Sequence, residues 1–173
     1  MSYADLEKLL NPKIVKNDLF SLNKVKLNEK NNHRHVTIDG IDNNNCLVFK
    51  PDYFEKKGIC LYLNQDDGIF IHKRCDYIII TKYNKKNIVI FCELKSNKTY
   101  DGYDQLLYTT SFFEYLESLL RIDKNIDIRK TEKYYIMFST KQHKRIKPLH
   151  NKAYYPLLKR AKILKTEISG IQI

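Results

Sequence analysis

The sequence predicts an α/β protein, a central sheet with helices packed against it, and three observations carry that expectation. Two consecutive apolar, β-branched runs, DYIIIT over 76–81 and IVIFCEL over 88–94, are joined by the polar segment KYNKKN, the pattern of a hairpin of central strands. Apolar residues then recur at helical spacing from Asp101 onward. A further apolar run, KYYIMFS over 133–139, reads as another strand behind that helix.

Taken in order, residues 3–10 read as a short helix with Ser2 as its cap, Leu6, Leu9 and Leu10 on one face, and Pro12 just beyond its end. The stretch 13–32 is polar and ambiguous. Short runs at 35–38, 46–49 and 59–63, separated by turn-rich text such as IDGIDNNN and NQDDG, predict an antiparallel meander. The hairpin strands are apolar on both faces, so the sheet should be covered on both sides by helices or other parts of the chain. The helix after them, with Asp101 as N-cap and Asp104 three residues on, should run about twenty residues and carry Leu106, Leu107, Phe112, Phe113, Leu116, Leu119 and Leu120. A last helix is expected from 155 to about 164.

The 173 residues are 43% hydrophobic and 12% aromatic, enough for one folded domain and too much for a disordered tail. No apolar run approaches the roughly 18 residues that span a bilayer. Residues 1–10 carry Asp5, Glu7 and Lys8 where a signal peptide needs an apolar stretch. The expectation is a cytoplasmic protein with no membrane partner. Cys46, Cys60, Cys75 and Cys92 are far apart and lack zinc-ligand spacing; three lie in apolar runs, as reduced core thiols do.

Charge is concentrated near the C-terminus. Between Lys141 and Lys165 stand nine basic residues and no acidic one, most of the net charge of +11. Interleaved with Tyr154 and Tyr155, this segment suits a nucleic-acid backbone, with Lys141, Lys144, Arg145, Lys147, Lys159 and Arg160 as candidate contacts. The plainer reading is a solvated face in a Lys- and Asn-rich chain. His33, His35, His72, His143 and His150 show no metal-ligand spacing.

Two carboxylates interrupt the hairpin where burial is most costly: Asp76 opens one strand, and Glu93, followed two residues on by Lys95, closes the other. If the hairpin closes symmetrically about 82–87, Ile80 faces Val89, Ile78 faces Phe91, and Asp76 faces Glu93. Directly opposed Cβ atoms lie about 4.5–5.5 Å apart, within reach of one divalent cation. Lys95 would share that face, because strand side chains alternate. A one-residue slip would separate the carboxylates onto opposite faces. Two such carboxylates repel, and Mg²⁺, which takes oxygen ligands and keeps waters, relieves the repulsion; Mn²⁺ fits the same ligands. The backbone carbonyl of Leu94 is a further candidate ligand. With Lys95 placed to orient or deprotonate a water, metal-assisted phosphodiester hydrolysis is the chemistry this set suits.

Asp76 followed by YIII, a hairpin ending Glu93-Leu94-Lys95, and a helix bearing Gln105 together resemble the PD-(D/E)XK superfamily, the restriction-endonuclease-like nucleases. The resemblance spans about thirty residues, 76–105. Cys75 stands where the name-giving Pro would be, and Tyr108 follows Gln105 at three residues, so the Q-x-x-x-Y signature of the RecB-like branch is not met. The resemblance implies a restriction-endonuclease-like core, a central mixed β-sheet flanked by helices. The chain is expected to form one domain over 1–173, with the core at about 34–140 and the basic segment at 141–173. The resemblance also implies that Asp76 and Glu93 bind Mg²⁺, that Lys95 assists the attacking water, and that Gln105 adds a polar group. Glu7 of the first helix is the candidate further ligand, with Glu29 or Glu55 as its substitutes. The expected activity is Mg²⁺-dependent cleavage of DNA in restriction, defence against foreign DNA or repair, by a homodimer or a subunit of a larger complex.

Two other functions share these features: a junction-resolving nuclease, and a non-catalytic nucleic-acid-binding or interaction subunit that keeps the nuclease-like fold. At the level of residues, Asp76 and Glu93 also fit as salt-bridged strand ends near Lys73, Arg74 and Lys95. Gln105 also fits as an ordinary first-turn residue, and Glu7 as a solvated one.

Overall fold

The computed structural model describes residues 6–8, 10, 12–21, 24–28, 35–39, 41, 43–51, 74–83, 86–95, 100–128, 131–139, 163–164 and 171–172. They form two sheets and one long helix. The larger sheet joins β4 (Cys46–Phe49), β5 (Tyr77–Tyr83), β6 (Lys86–Lys95), β7 (Glu132–Ser139) and β8 (Ile163–Leu164) in that order. β4, β5 and β6 are antiparallel neighbours, while β7 lies parallel to β6 and β8 parallel to β7. The fold is thus α/β with a mixed sheet. A parallel neighbour needs a crossover, and the helix Tyr100–Lys124 lies between β6 and β7 in the chain. The smaller sheet joins β1 (Phe20–Ser21), β2 (Lys24–Asn28), β3 (His35–Asp39) and β9 (Ile171–Gln172).

β5 and β6 are apolar on both faces because each face has its own cover. Ile78, Ile80, Val89 and Phe91 pack with Leu106, Phe113, Leu116 and Leu120 of the helix, joined by Leu6, Leu10 and Ile14. Tyr77, Ile79, Ile88, Ile90, Cys92 and Leu94 pack with Val25, Leu27, Val36 and Ile38 of the smaller sheet. Full burial of each such aliphatic side chain contributes roughly 1.5–3 kcal/mol, so the two covers are of comparable weight. Phe91 anchors the helical side: it meets Phe113 edge-on at 5.6 Å between centroids and stacks on Tyr135 at 5.0 Å. The outer edge of β4 is met by residues 14–16, where Val15 bridges Phe49 and Lys16 N–H donates to the Val48 carbonyl at 2.9 Å.

Several expectations are corrected. The meander divides, because β3 pairs with β2 and β9 while β4 pairs with β5. β3 has an alternating pattern, with Val36 and Ile38 buried, which suits a sheet with one covered face. The polar stretch 13–32 contains β1 and β2, and in KVKLN only Val25 and Leu27 turn inward. The helix begins at Tyr100 and runs 25 residues, so Asp101 lies inside its first turn instead of capping it. Residues 163–164 are strand, not the end of a helix. The hydrophobic core also takes in Leu6, Leu10 and Ile14. The expected strand at 59–63 lies outside the described residues, as do 155–162 of the expected last helix and Cys60. Cys75 and Cys92 are buried thiols, and the described cysteines form no disulfide with one another. Among the described residues no helix is long and apolar enough to cross a membrane.

Candidate active site

The hairpin adopts the symmetric register, with Ile80 opposite Val89 and Ile78 opposite Phe91. Its last ladder pair is Tyr77 with Cys92, so Asp76 and Glu93 occupy the next position, where the chain bends out of β5. There the side chains replace the missing rungs. Asp76 N–H donates to Glu93 Oε2 at 3.1 Å, and Leu94 N–H donates to Asp76 Oδ2 at 2.7 Å. Such charge-assisted bonds offset part of the cost of holding carboxylates away from water. Glu93 is 1% exposed, in the strand alternation shared by Val89 and Phe91, and Asp76 is half-buried.

The negative charge of this pair reaches both faces of the sheet. The Cys75 thiol, on the helical side, is held well above its ordinary value, first by burial and then by the charge of Glu93, with the Thr109 hydrogen bond opposing and smaller contributions from Cys92 and Asp76. Burial, followed by the charges of Asp76 and Glu93, pushes the Cys92 thiol up on the other side. Both thiols therefore stay protonated at neutral pH and serve as packing groups, not nucleophiles.

The donor set is two carboxylates on adjacent strands, with the Leu94 backbone beside them. The Leu94 N–H leaves β6 on the edge facing Asp76, an edge that the carbonyl of the same residue shares in an extended strand. All of these donors are oxygens, which fits Mg²⁺ or Mn²⁺. Among the described residues no group of three or more His, Cys, Asp and Glu is placed to hold a metal ion by itself. A cation here would take its remaining ligands from water or substrate, as Mg²⁺ commonly does.

Lys95 ends β6 two positions beyond Glu93, its backbone paired with Ser139; its side chain is outside what the structure describes. The Gln105 amide donates to the Arg74 carbonyl at 3.1 Å, so it acts on the backbone next to Asp76. The Arg74 guanidinium lies 5.4 Å from the Phe112 ring centroid. Glu7 is on the exposed side of a helical turn at 6–8 whose Leu6 is buried. Glu29 and Glu55, and the basic residues Lys141, Lys144, Arg145, Lys147, Lys159 and Arg160, lie outside the described residues. Sequence reasoning missed Thr109, whose hydroxyl accepts from Cys75 N–H at 2.7 Å. Its only signal was a threonine among the apolar positions of the helix, four residues after Gln105. Comparison with family models, with curated proteins and with solved structures yields no match.

Proposed function

We propose that this chain is a Mg²⁺-dependent nuclease with a restriction-endonuclease-like core, hydrolysing phosphodiester bonds of DNA in the cytoplasm, in restriction, defence against foreign DNA or repair. The observation that carries this reading is the cross-strand pairing of Asp76 and Glu93, each tied to the other's strand by a backbone N–H. It stands at the end of a central hairpin that continues into Lys95, the long helix and a parallel strand. Bound at the pair, Mg²⁺ would polarise the phosphate and lower the pKa of a water. Asp76, Glu93 and the Leu94 carbonyl would hold the cation, with Glu7 the candidate for a further ligand. Lys95 would orient the attacking water and offset charge developing on the phosphate. Gln105 would keep the backbone before Asp76 in place. The basic segment 141–165 would track the phosphate backbone, and a partner subunit or a second copy would supply target choice.

The test is cleavage of labelled single- and double-stranded DNA and RNA by the purified chain, with and without Mg²⁺ or Mn²⁺, beside Glu93→Gln and Lys95→Ala. The expected result is metal-dependent cutting of DNA that both variants lose while still binding it. Cutting that persists in Glu93→Gln would overturn the site assignment. A second reading, a nuclease-like scaffold without catalysis, draws on the same hydrogen bonds, since one oxygen of each carboxylate already closes the end of the hairpin. It predicts no cutting and no effect of Mg²⁺ on thermal stability.

A further inference from the structure

The peptide between Arg74 and Cys75 lies just before Asp76 and outside the β5–β6 ladder. Both of its polar groups are nevertheless bonded, and both partners come from the long helix. The Gln105 amide donates to its carbonyl at 3.1 Å, and its N–H donates to Thr109 Oγ1 at 2.7 Å. The Thr109 hydroxyl in turn donates to the Gln105 carbonyl at 2.6 Å. Helix residues four apart lie one above the other on the same face, so one peptide unit can be held at both ends by the pair. Thr109 is fully buried. A buried hydroxyl is costly unless bonded, and here its bonds go to the residue before Asp76 and to the other member of the grip. From Asp76 the chain of bonds continues to Glu93 and back from Leu94. Tyr77, the next residue, is fixed on its far side by the backbone of Asn28, which its hydroxyl bonds at 2.8 and 3.1 Å.

We infer that Gln105 and Thr109 are positioning residues that grip the peptide between Arg74 and Cys75 and so set Asp76 against Glu93 for cation binding. The ordering of the pair is independent of any chemistry, while its use in catalysis rests on the nuclease reading above. The cation's ligands and the helix thereby form one unit: a shift of the helix by a fraction of a hydrogen-bond length is felt at the carboxylate.

The experiment compares the full chain with Thr109→Val, Thr109→Ser and Gln105→Met, the last at a half-buried position that a thioether fills. Two quantities are read: amide exchange at Asp76 and Leu94 by NMR without metal, and Mn²⁺ affinity by electron paramagnetic resonance. Thr109→Val and Gln105→Met are expected to speed exchange at both amides and to weaken Mn²⁺ binding by about tenfold, the lower end for lost outer-shell partners, and Thr109→Ser is expected to restore both. Leu120→Ala, toward the other end of the helix, lowers stability without changing Mn²⁺ affinity. Unchanged exchange at Asp76 and Leu94 in Thr109→Val, or Mn²⁺ affinity equal to that of the unaltered chain, overturns the inference. If the unaltered chain binds no Mn²⁺, or Asp76→Asn binds it equally well, the nuclease reading falls, and the exchange data alone decide whether the grip orders the pair.

Discussion

Replacing Glu93 by Gln preserves the shape of the pair, and an amide oxygen can still accept from Asp76 N–H. What changes is charge. Two ionised carboxylates on opposed strand positions, taken at the Cβ spacing of about 5 Å, repel by roughly 3 kcal/mol at an effective dielectric near 20. Against that relief stands the weakening of a charge-assisted hydrogen bond to a neutral one, about 1 kcal/mol. The metal-free variant should therefore be more stable than the unaltered chain by about 1–2 kcal/mol, a rise in Tm of roughly 3–6 °C for a chain of this size. The assay is thermal and urea unfolding in a chelator at low ionic strength, repeated with Mg²⁺. There the unaltered chain should gain stability and Glu93→Gln should not. Asp76→Asn should behave alike. A site kept for function at the expense of stability has this signature, and a structural ion pair has the opposite one. If both variants melt lower in chelator than the unaltered chain, the carboxylates are held by cationic partners and the reasoning fails.

Three further expectations concern the opposite end of the helix. Lys133 lies 3.0 Å from Glu117 Oε2 and 3.8 Å from Glu114 Oε1, and Glu117 is 4% exposed, its other oxygen buried without a partner. Because Lys133 is itself partly exposed, Lys133→Met should cost about 2 kcal/mol, below the range for a fully buried pair, and adding Glu117→Leu should recover most of it in a double-mutant cycle read by urea unfolding. Burial raises the Glu117 carboxyl above its ordinary value despite Lys133, so the native state holds its proton more tightly than the unfolded chain. Glu117 should then lower stability as pH rises from the ordinary carboxylate range through the raised native value; melting curves from pH 4 to 7 should show Glu117→Gln gaining on the unaltered chain, and a gap that narrows would refute this. Asn125 has φ 53° where the helix ends, a left-handed conformation that Asn tolerates and glycine prefers; Asn125→Ala should lose about 1 kcal/mol in the same unfolding assay while Asn125→Gly holds or gains.

The parts of the fold legible in the sequence are those fixed by local pattern. The hairpin register followed from two apolar strands of similar length around a polar connection, and a one-residue slip would have turned the carboxylates to opposite faces. The long helix followed from its apolar spacing, although its start did not, since first-turn acids such as Asp101 resemble caps. The division of the early strands between two sheets was not legible: Val36 and Ile38 declare a buried face but not what covers it. In KVKLN the alternation of period two was present, yet three polar residues in five masked it. The carboxylate pair could be read from spacing alone. The grip of Gln105 and Thr109 could not, because it joins a helix to a peptide some thirty residues earlier and uses backbone groups that no side-chain pattern announces.

The phenol of Tyr77 has a consequence for how the molecule meets its neighbours. Its hydroxyl occupies both the N–H and the carbonyl of Asn28, at the end of β2 that the two residues of β1 do not reach. A strand margin with open donors and acceptors is a template for a second chain. Here a tyrosine from the larger sheet takes up both backbone groups of Asn28, so the last residue of β2 is closed to that use. One buried side chain thus ties the margin of the smaller sheet to the strand that leads out of Asp76.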